Sequence, residues 1–287
     1  MVSPVTVVKS CGPRLVPFFK TTCIYFVLWL PASSASWFST LIKCLPILCL
    51  CAFVAAHGMS LRAAVHSYAR RILAGLVFSA LGDACLVWEA FGYFEPGMLM
   101  FGTAHAFYLA AFGIQPLRAR LGLVLGASGA AIYGLMFPCL PPGPMPALLA
   151  AYFSLIVAMM WRAAARVGRP WTWNRMCACV GAALFVASDL ALAVDKFCTR
   201  LAAAPAFVMS TYYLAQMCIA LSVVDCRDDD AAAAAAAVAA DKRGGAVEGG
   251  AVEGGADSAP PSPCRRVGED GSGARGGVHQ RAALSAR

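Results

Sequence analysis

Runs of about twenty apolar residues follow one another up to residue 224, with only short connections between them, and they leave this chain little choice of fold. A run of that length is what a helix needs to cross a bilayer. Eight can be marked, at roughly 15–31, 37–57, 70–89, 97–114, 117–137, 145–165, 174–194 and 205–224. The expectation is an all-α, polytopic membrane protein with eight transmembrane helices. The first run is the weakest, with Lys20 inside it and Pro17 near its start. It lacks the small-residue cleavage pattern of a removable signal and reads as a retained span.

Composition agrees. The chain is 60% apolar and 13% charged, where soluble domains average about 45–50% and about 25%. Its charges are unevenly spread: the first 224 residues hold 15 Lys and Arg against five acids, Asp83, Glu89, Glu95, Asp189 and Asp195. The basic excess therefore belongs to loops beside a membrane, not to a nucleic-acid patch. Arginines collect in alternate connections (Arg62, Arg70, Arg71; Arg118, Arg120; Arg162, Arg166, Arg169, Arg175). By the positive-inside rule both termini are then cytosolic, which eight spans allow.

Residues 1–226 form the membrane domain. Beyond them, 227–287 hold an Asp run, an alanine run, a repeated Gly-Gly-Ala-Val-Glu and a Pro/Ser/Gly/Arg mixture, which read as a disordered tail. Cys226 is a site for palmitoylation or a plain thiol. Most of the 13 cysteines lie within apolar runs, where they act as small hydrophobes. Cys139 and Cys198 are the two that could face a lumen together and pair.

Two acids lie deep inside apolar runs. Asp83 sits in Gly-Leu-Val-Phe-Ser-Ala-Leu-Gly-Asp and Asp189 in Ala-Leu-Phe-Val-Ala-Ser-Asp. A charge at mid-bilayer costs about 2.5–3.5 kcal/mol on insertion scales, so function is the default reading. Sliding the sequence by 106 positions matches Asp83 to Asp189 and Glu89 to Asp195, and relates the fourth run loosely to the eighth. That pattern suggests a 4+4 parallel duplication with both aspartates facing a shared cleft. The bland reading makes Gly82–Asp83 and Ser188–Asp189 helix-packing points.

Counting residues from the run ends at about 1.5 Å each puts His105, Tyr212, Tyr213 and Gln216 near the level of the aspartates. His105 would relay a proton or bond a backbone carbonyl. Tyr108, Tyr212 and Tyr213 serve packing or substrate contact, and Gln216 serves interhelical bonding or substrate. Lys196 pairs with Asp195 or meets a phosphate. Lys43, six residues into the second run, can snorkel to the lumenal surface. Together with the two aspartates these seven side chains make up the candidate site.

There is no Gly-x-Ser-x-Gly elbow, no His-Glu-x-x-His, no Cys-x-x-Cys and no glycine-rich phosphate loop. Acid–base chemistry without a metal or other cofactor remains, or transport. A proton-coupled lipid or solute carrier would also use duplicated carboxylates. An intramembrane aspartyl protease would show Gly-x-Gly-Asp, but Ala80 precedes Leu81–Gly82–Asp83, and no Tyr-Asp occurs at Asp189.

The blocks GLVFSALGDACLVW, FEPGMLMFGTAHAFYLAAFG, ALFVASDLALAVDKF and STYYLAQMCIALS resemble the YhhN-like membrane lysoplasmalogenases. The opening, with VPFFKTTCIYFVLWLP and STLIKCLPI, looks like the vertebrate A-type branch, and similarity runs over about residues 1–226. The resemblance implies an eight-span hydrolase of the endoplasmic reticulum membrane with a lysophospholipid substrate. It would cleave the vinyl ether bond of lysoplasmenyl-ethanolamine or -choline, releasing a fatty aldehyde and a glycerophospho-base. The family's acidic motif residues fall here on Asp83 and Asp189.

Overall fold

Each apolar run becomes one helix, because a helix keeps all its backbone hydrogen bonds within the segment. The computed structural model describes residues 4–28, 35–56, 67–168 and 171–224. The segment 227–287 and Cys226 lie outside the described residues, as does the Arg62 connection. Among the described residues there is no strand. Within these residues lie eight α-helices, α1 (Pro4–Leu28), α2 (Trp37–Ala56), α3 (Ser67–Val87), α4 (Phe94–Phe112), α5 (Ala119–Met136), α6 (Met145–Arg166), α7 (Trp173–Ala193) and α8 (Ala204–Leu221).

The boundaries of α2 to α8 agree with the sequence-based spans to within three residues at either end. α1 does not: it begins eleven residues early and runs through Pro13 and Pro17. Five helices, α2, α5, α6, α7 and α8, are long and apolar enough to cross a membrane. The other three carry polar residues within the helix. These are Arg14 and Lys20 in α1, Arg70, Arg71 and Asp83 in α3, and Glu95, Thr103 and His105 in α4.

Helices that are neighbours in sequence pack as hairpins, and glycines set how closely. α3 meets α4 through Gly75, where a Cβ would lie 2.2 Å from the Tyr108 ring, and Gly82, where one would lie 2.7 Å from the Phe101 ring. α7 meets α8 through Gly181, where a Cβ would lie 2.9 Å from the Ala215 carbonyl oxygen. The last contact is with backbone, which cannot rotate away. Gly181→Ala is therefore expected to cost about 1–3 kcal/mol by overpacking. A thermal midpoint in detergent within a degree of wild type would show that the α7–α8 spacing is slack.

One core, containing Leu50, Ile72, Phe185 and Ile219, runs through the bundle from α1, α2, α3, α4, α6, α7 and α8. A smaller cluster, including Met98, Met136, Met145 and Ala193, closes the end where α4, α5, α6 and α7 meet. α5 is the peripheral helix, with only Gly129 and Met136 buried. At the arginine-bearing end, Arg162 is 3% exposed. Its Nε donates to the Gly113 carbonyl at 2.7 Å and its Nη1 to that of Pro116 at 2.9 Å. This arginine therefore closes the α4–α5 connection as well as adding charge.

Candidate active site

Asp83 lies on the buried face of α3 and is 1% exposed. Tyr212 of α8 donates its hydroxyl to Asp83 Oδ2 at 2.6 Å. Lys43 of α2 brings its Nζ to 4.0 Å from Oδ1, with the lysine side chain 16% exposed. Lys43 thus turns inward to a carboxylate; the expectation that it snorkels to the lumenal surface is corrected. An ammonium in an apolar bundle gains more from a nearby carboxylate than its stem loses by forgoing the interface.

Asp189 on α7 has different company. Tyr152 of α6 donates its hydroxyl to Asp189 Oδ2 in a short hydrogen bond. His105 of α4, fully buried, holds Nε2 3.9 Å from the same oxygen. Neither ring nitrogen of His105 has a hydrogen-bond partner. The alternative in which His105 bonds a backbone carbonyl is thereby corrected. The Asp189 side chain is 16% exposed and has no lysine or arginine within ion-pair distance among the described residues.

A chain of aromatic contacts links these two shells. Tyr212 stands edge-on to Phe101 and Phe185, at 5.8 and 5.5 Å between centroids. Phe185 in turn meets His105 at 4.6 Å, and His105 meets Tyr152 at 5.3 Å. Such edge-to-face contacts fix ring orientation. The stack therefore runs Tyr212–Phe185–His105–Tyr152 from one carboxylate to the other.

The remaining sequence candidates fall in three places. Tyr108 donates to Gln216 Oε1 at 2.8 Å, beside Ser79. Tyr213 donates to the Lys43 carbonyl at 2.8 Å, holding α8 to the helix that presents the lysine. These three side chains brace the layer, and only the Gln216 amide nitrogen is left without a partner. Lys196 sits at the far end of α7, in the π-turn Val194–Cys198. It pairs with Glu89 at 3.1 Å, not with Asp195, which is a correction. Asp195 instead accepts from the Leu201 amide at 2.7 Å and lies 3.5 Å from Arg200.

Tyr152 is the site residue that sequence reasoning missed. Its signal was available: it is the eighth residue of α6, so counting inward places it at about the depth used for His105. A groove of about 380 Å³ lies between α5 and α6, floored by Gly122, Gly126 and Gly129 and walled by Tyr133, Phe153 and Trp161. None of the candidate site residues lines it. Its position one residue from Tyr152 does not make it the site.

A family model described as YhhN matches residues 38–223. The chain belongs to the YhhN family. The match begins at the second residue of α2 and ends just past α8, so both carboxylate shells of this YhhN member lie inside it. The chain is 54% identical to "Lysoplasmalogenase TMEM86A" of Homo sapiens over 231 residues, 79% of this chain and 95% of that relative. It is 52% identical to the Bos taurus protein of the same name, with the same coverage. It is 40% identical to "Lysoplasmalogenase TMEM86B" of Homo sapiens over 210 residues, 73% of this chain and 86% of that relative. No solved structure matches the chain.

Proposed function

We propose that this YhhN protein is a lysoplasmalogenase that hydrolyses the vinyl ether bond of lysoplasmenyl-ethanolamine or -choline, with Asp83 and Asp189 as the acid–base pair. The observation that carries the activity is 54% identity to a named lysoplasmalogenase over 95% of its length. Unlike neighbours support unlike roles for the two acids. Asp83 has a cation beside it and a tyrosine on it, which suits it to remain the anion. Asp189 meets a tyrosine hydroxyl and an imidazole, with no lysine or arginine beside it, and is the more exposed of the two, which suits it to carry and deliver the proton.

The reaction follows from those roles. The Asp189 carboxyl gives its proton to the β-carbon of the vinyl ether, leaving an oxocarbenium ion at the α-carbon. The Asp83 carboxylate faces the developing positive charge and orients the water that captures it. The resulting hemiacetal collapses to a fatty aldehyde and the glycerophospho-base. The proton released by water returns to Asp189, with His105 as the buried group nearest to relay it. Tyr152 and Tyr212 hold the carboxyl groups in place.

The same reading takes all eight helices as spans in the endoplasmic reticulum membrane, with both termini cytosolic. It also takes α1–α4 and α5–α8 as the two copies of a 4+4 repeat, in which the α3–α4 and α7–α8 hairpins correspond. The glycine-set closeness of both hairpins supports the repeat. The site would then sit at acyl-chain depth, where a lysolipid already lies.

Purified protein given lysoplasmenyl-ethanolamine in D₂O is expected to release one aldehyde per glycerophosphoethanolamine, with a single deuterium on the carbon next to the carbonyl. An acyl lysophospholipid should release nothing. Aldehyde without that deuterium would exclude proton delivery to the β-carbon. Transport without product would make the protein a carrier.

A further inference from the structure

Most of the cysteines whose burial is described are buried or half-buried within helices. Cys139 and Cys198 are different: each ends a short turn that follows a long helix, and each is exposed. Cys139 closes the 3₁₀ turn Phe137–Cys139 after α5, and Cys198 closes the π-turn Val194–Cys198 after α7. The end of α5 and this π-turn lie against each other, which brings the two thiols to the same corner of the bundle. Packing beneath them supports this meeting. Met136 from α5 and Ala193 from α7 share one buried cluster, and Leu140, Val194 and Phe197 pack against it. Phe197 also stands edge-on to Phe94, 5.8 Å between centroids, so the π-turn is seated on the α4 end.

We propose that Cys139 and Cys198 form an intramolecular disulfide, made by exchange with an external disulfide such as oxidised glutathione or the active-site disulfide of an oxidoreductase. One thiolate attacks the external disulfide, giving a mixed disulfide and releasing one external thiol. The second thiolate then attacks the first cysteine's sulfur and releases the other. One S–S bond forms and one breaks. The two electrons and two protons lost by the protein pass to the two released thiols.

The bond would do structural work at a particular seam. α5 has only two buried residues, and the link ties its end to the turn that follows Asp189's helix. It closes a loop that contains all of α6 and α7, hence both Tyr152 and Asp189. The site lies at the end of the bundle opposite Arg162 and Arg175, the side that a non-cytosolic, oxidising compartment would bathe. It does not depend on which reaction the protein performs.

The test uses the full chain, purified in detergent under reducing conditions and then exposed to oxidised glutathione. Mass-tagged maleimide labelling before and after, with peptide mass spectrometry, reads which thiols are consumed. The expected result is loss of label at Cys139 and Cys198 only, a 139–198 linked peptide within one chain, and full recovery with dithiothreitol. The thermal midpoint should rise by several degrees on oxidation, and Cys139→Ser and Cys198→Ser should each abolish that rise. Persisting label at both thiols, a bond to any other cysteine or a bond between two chains would overturn the proposal.

Discussion

Asp189→Asn is expected to lower the rate of vinyl ether hydrolysis by about 10²- to 10⁴-fold, the usual contribution of a positioned general acid. The amide keeps the size of the carboxyl and can still accept the Tyr152 hydroxyl, so the helix contact that Asp189 makes survives. It has no proton of useful acidity to give to carbon. The loss should therefore appear in kcat, with expression and thermal midpoint close to wild type. Tyr152→Phe removes only the group that orients the acid and should lose less, about tenfold, again in kcat and not KM. Asp83→Asn should also abolish turnover, and because it leaves Lys43 without its carboxylate it should lower the thermal midpoint as well. Full activity of Asp189→Asn or of Asp83→Asn would exclude the paired-acid mechanism. Loss of folded protein in both would return the aspartates to a packing role.

Lys43→Met should have the largest effect on stability. It leaves Asp83, 1% exposed, with a tyrosine hydroxyl and no cation. Removing one partner of a buried ion pair typically costs about 3–5 kcal/mol. At 4.0 Å this pair is at the loose limit, which favours the lower end. The double variant Lys43→Met/Asp83→Asn removes both charges and should recover most of the loss, because a neutral pair needs no compensation. Thermal unfolding in detergent reads both changes. A single variant as stable as wild type would show that the ammonium does not compensate Asp83. Recovered stability without recovered turnover in the double variant would separate folding from chemistry.

Much of this site was legible because depth is legible in a membrane sequence. Counting inward from the run ends brought Asp83, Asp189, His105 and Tyr212 to one level, and they do share a layer. Depth does not give azimuth, however, and azimuth decides partners. Nothing in the spacing shows that Lys43 faces α3 and not lipid, or that Tyr152 faces α7 while its neighbour Phe153 faces α5. The slide of 106 positions related the two aspartates but could not predict their different surroundings. It matches Tyr152 to Pro46, so the half that lacks a cation gained its tyrosine from a helix that the duplication pattern does not cover well. Lys196 was misassigned for a simpler reason: Asp195 is adjacent in sequence, but Glu89 is nearer once the ends of α3 and α7 are side by side.

The two half-sites are anchored on different helices. The groups holding Asp83 come from α2 and α8, and those holding Asp189 come from α4 and α6. A shift of α6 alone, from a thinner bilayer or a substitution on its lipid-facing side, would be felt at Asp189 and not at Asp83. Turnover should accordingly track membrane thickness even where the bundle remains intact.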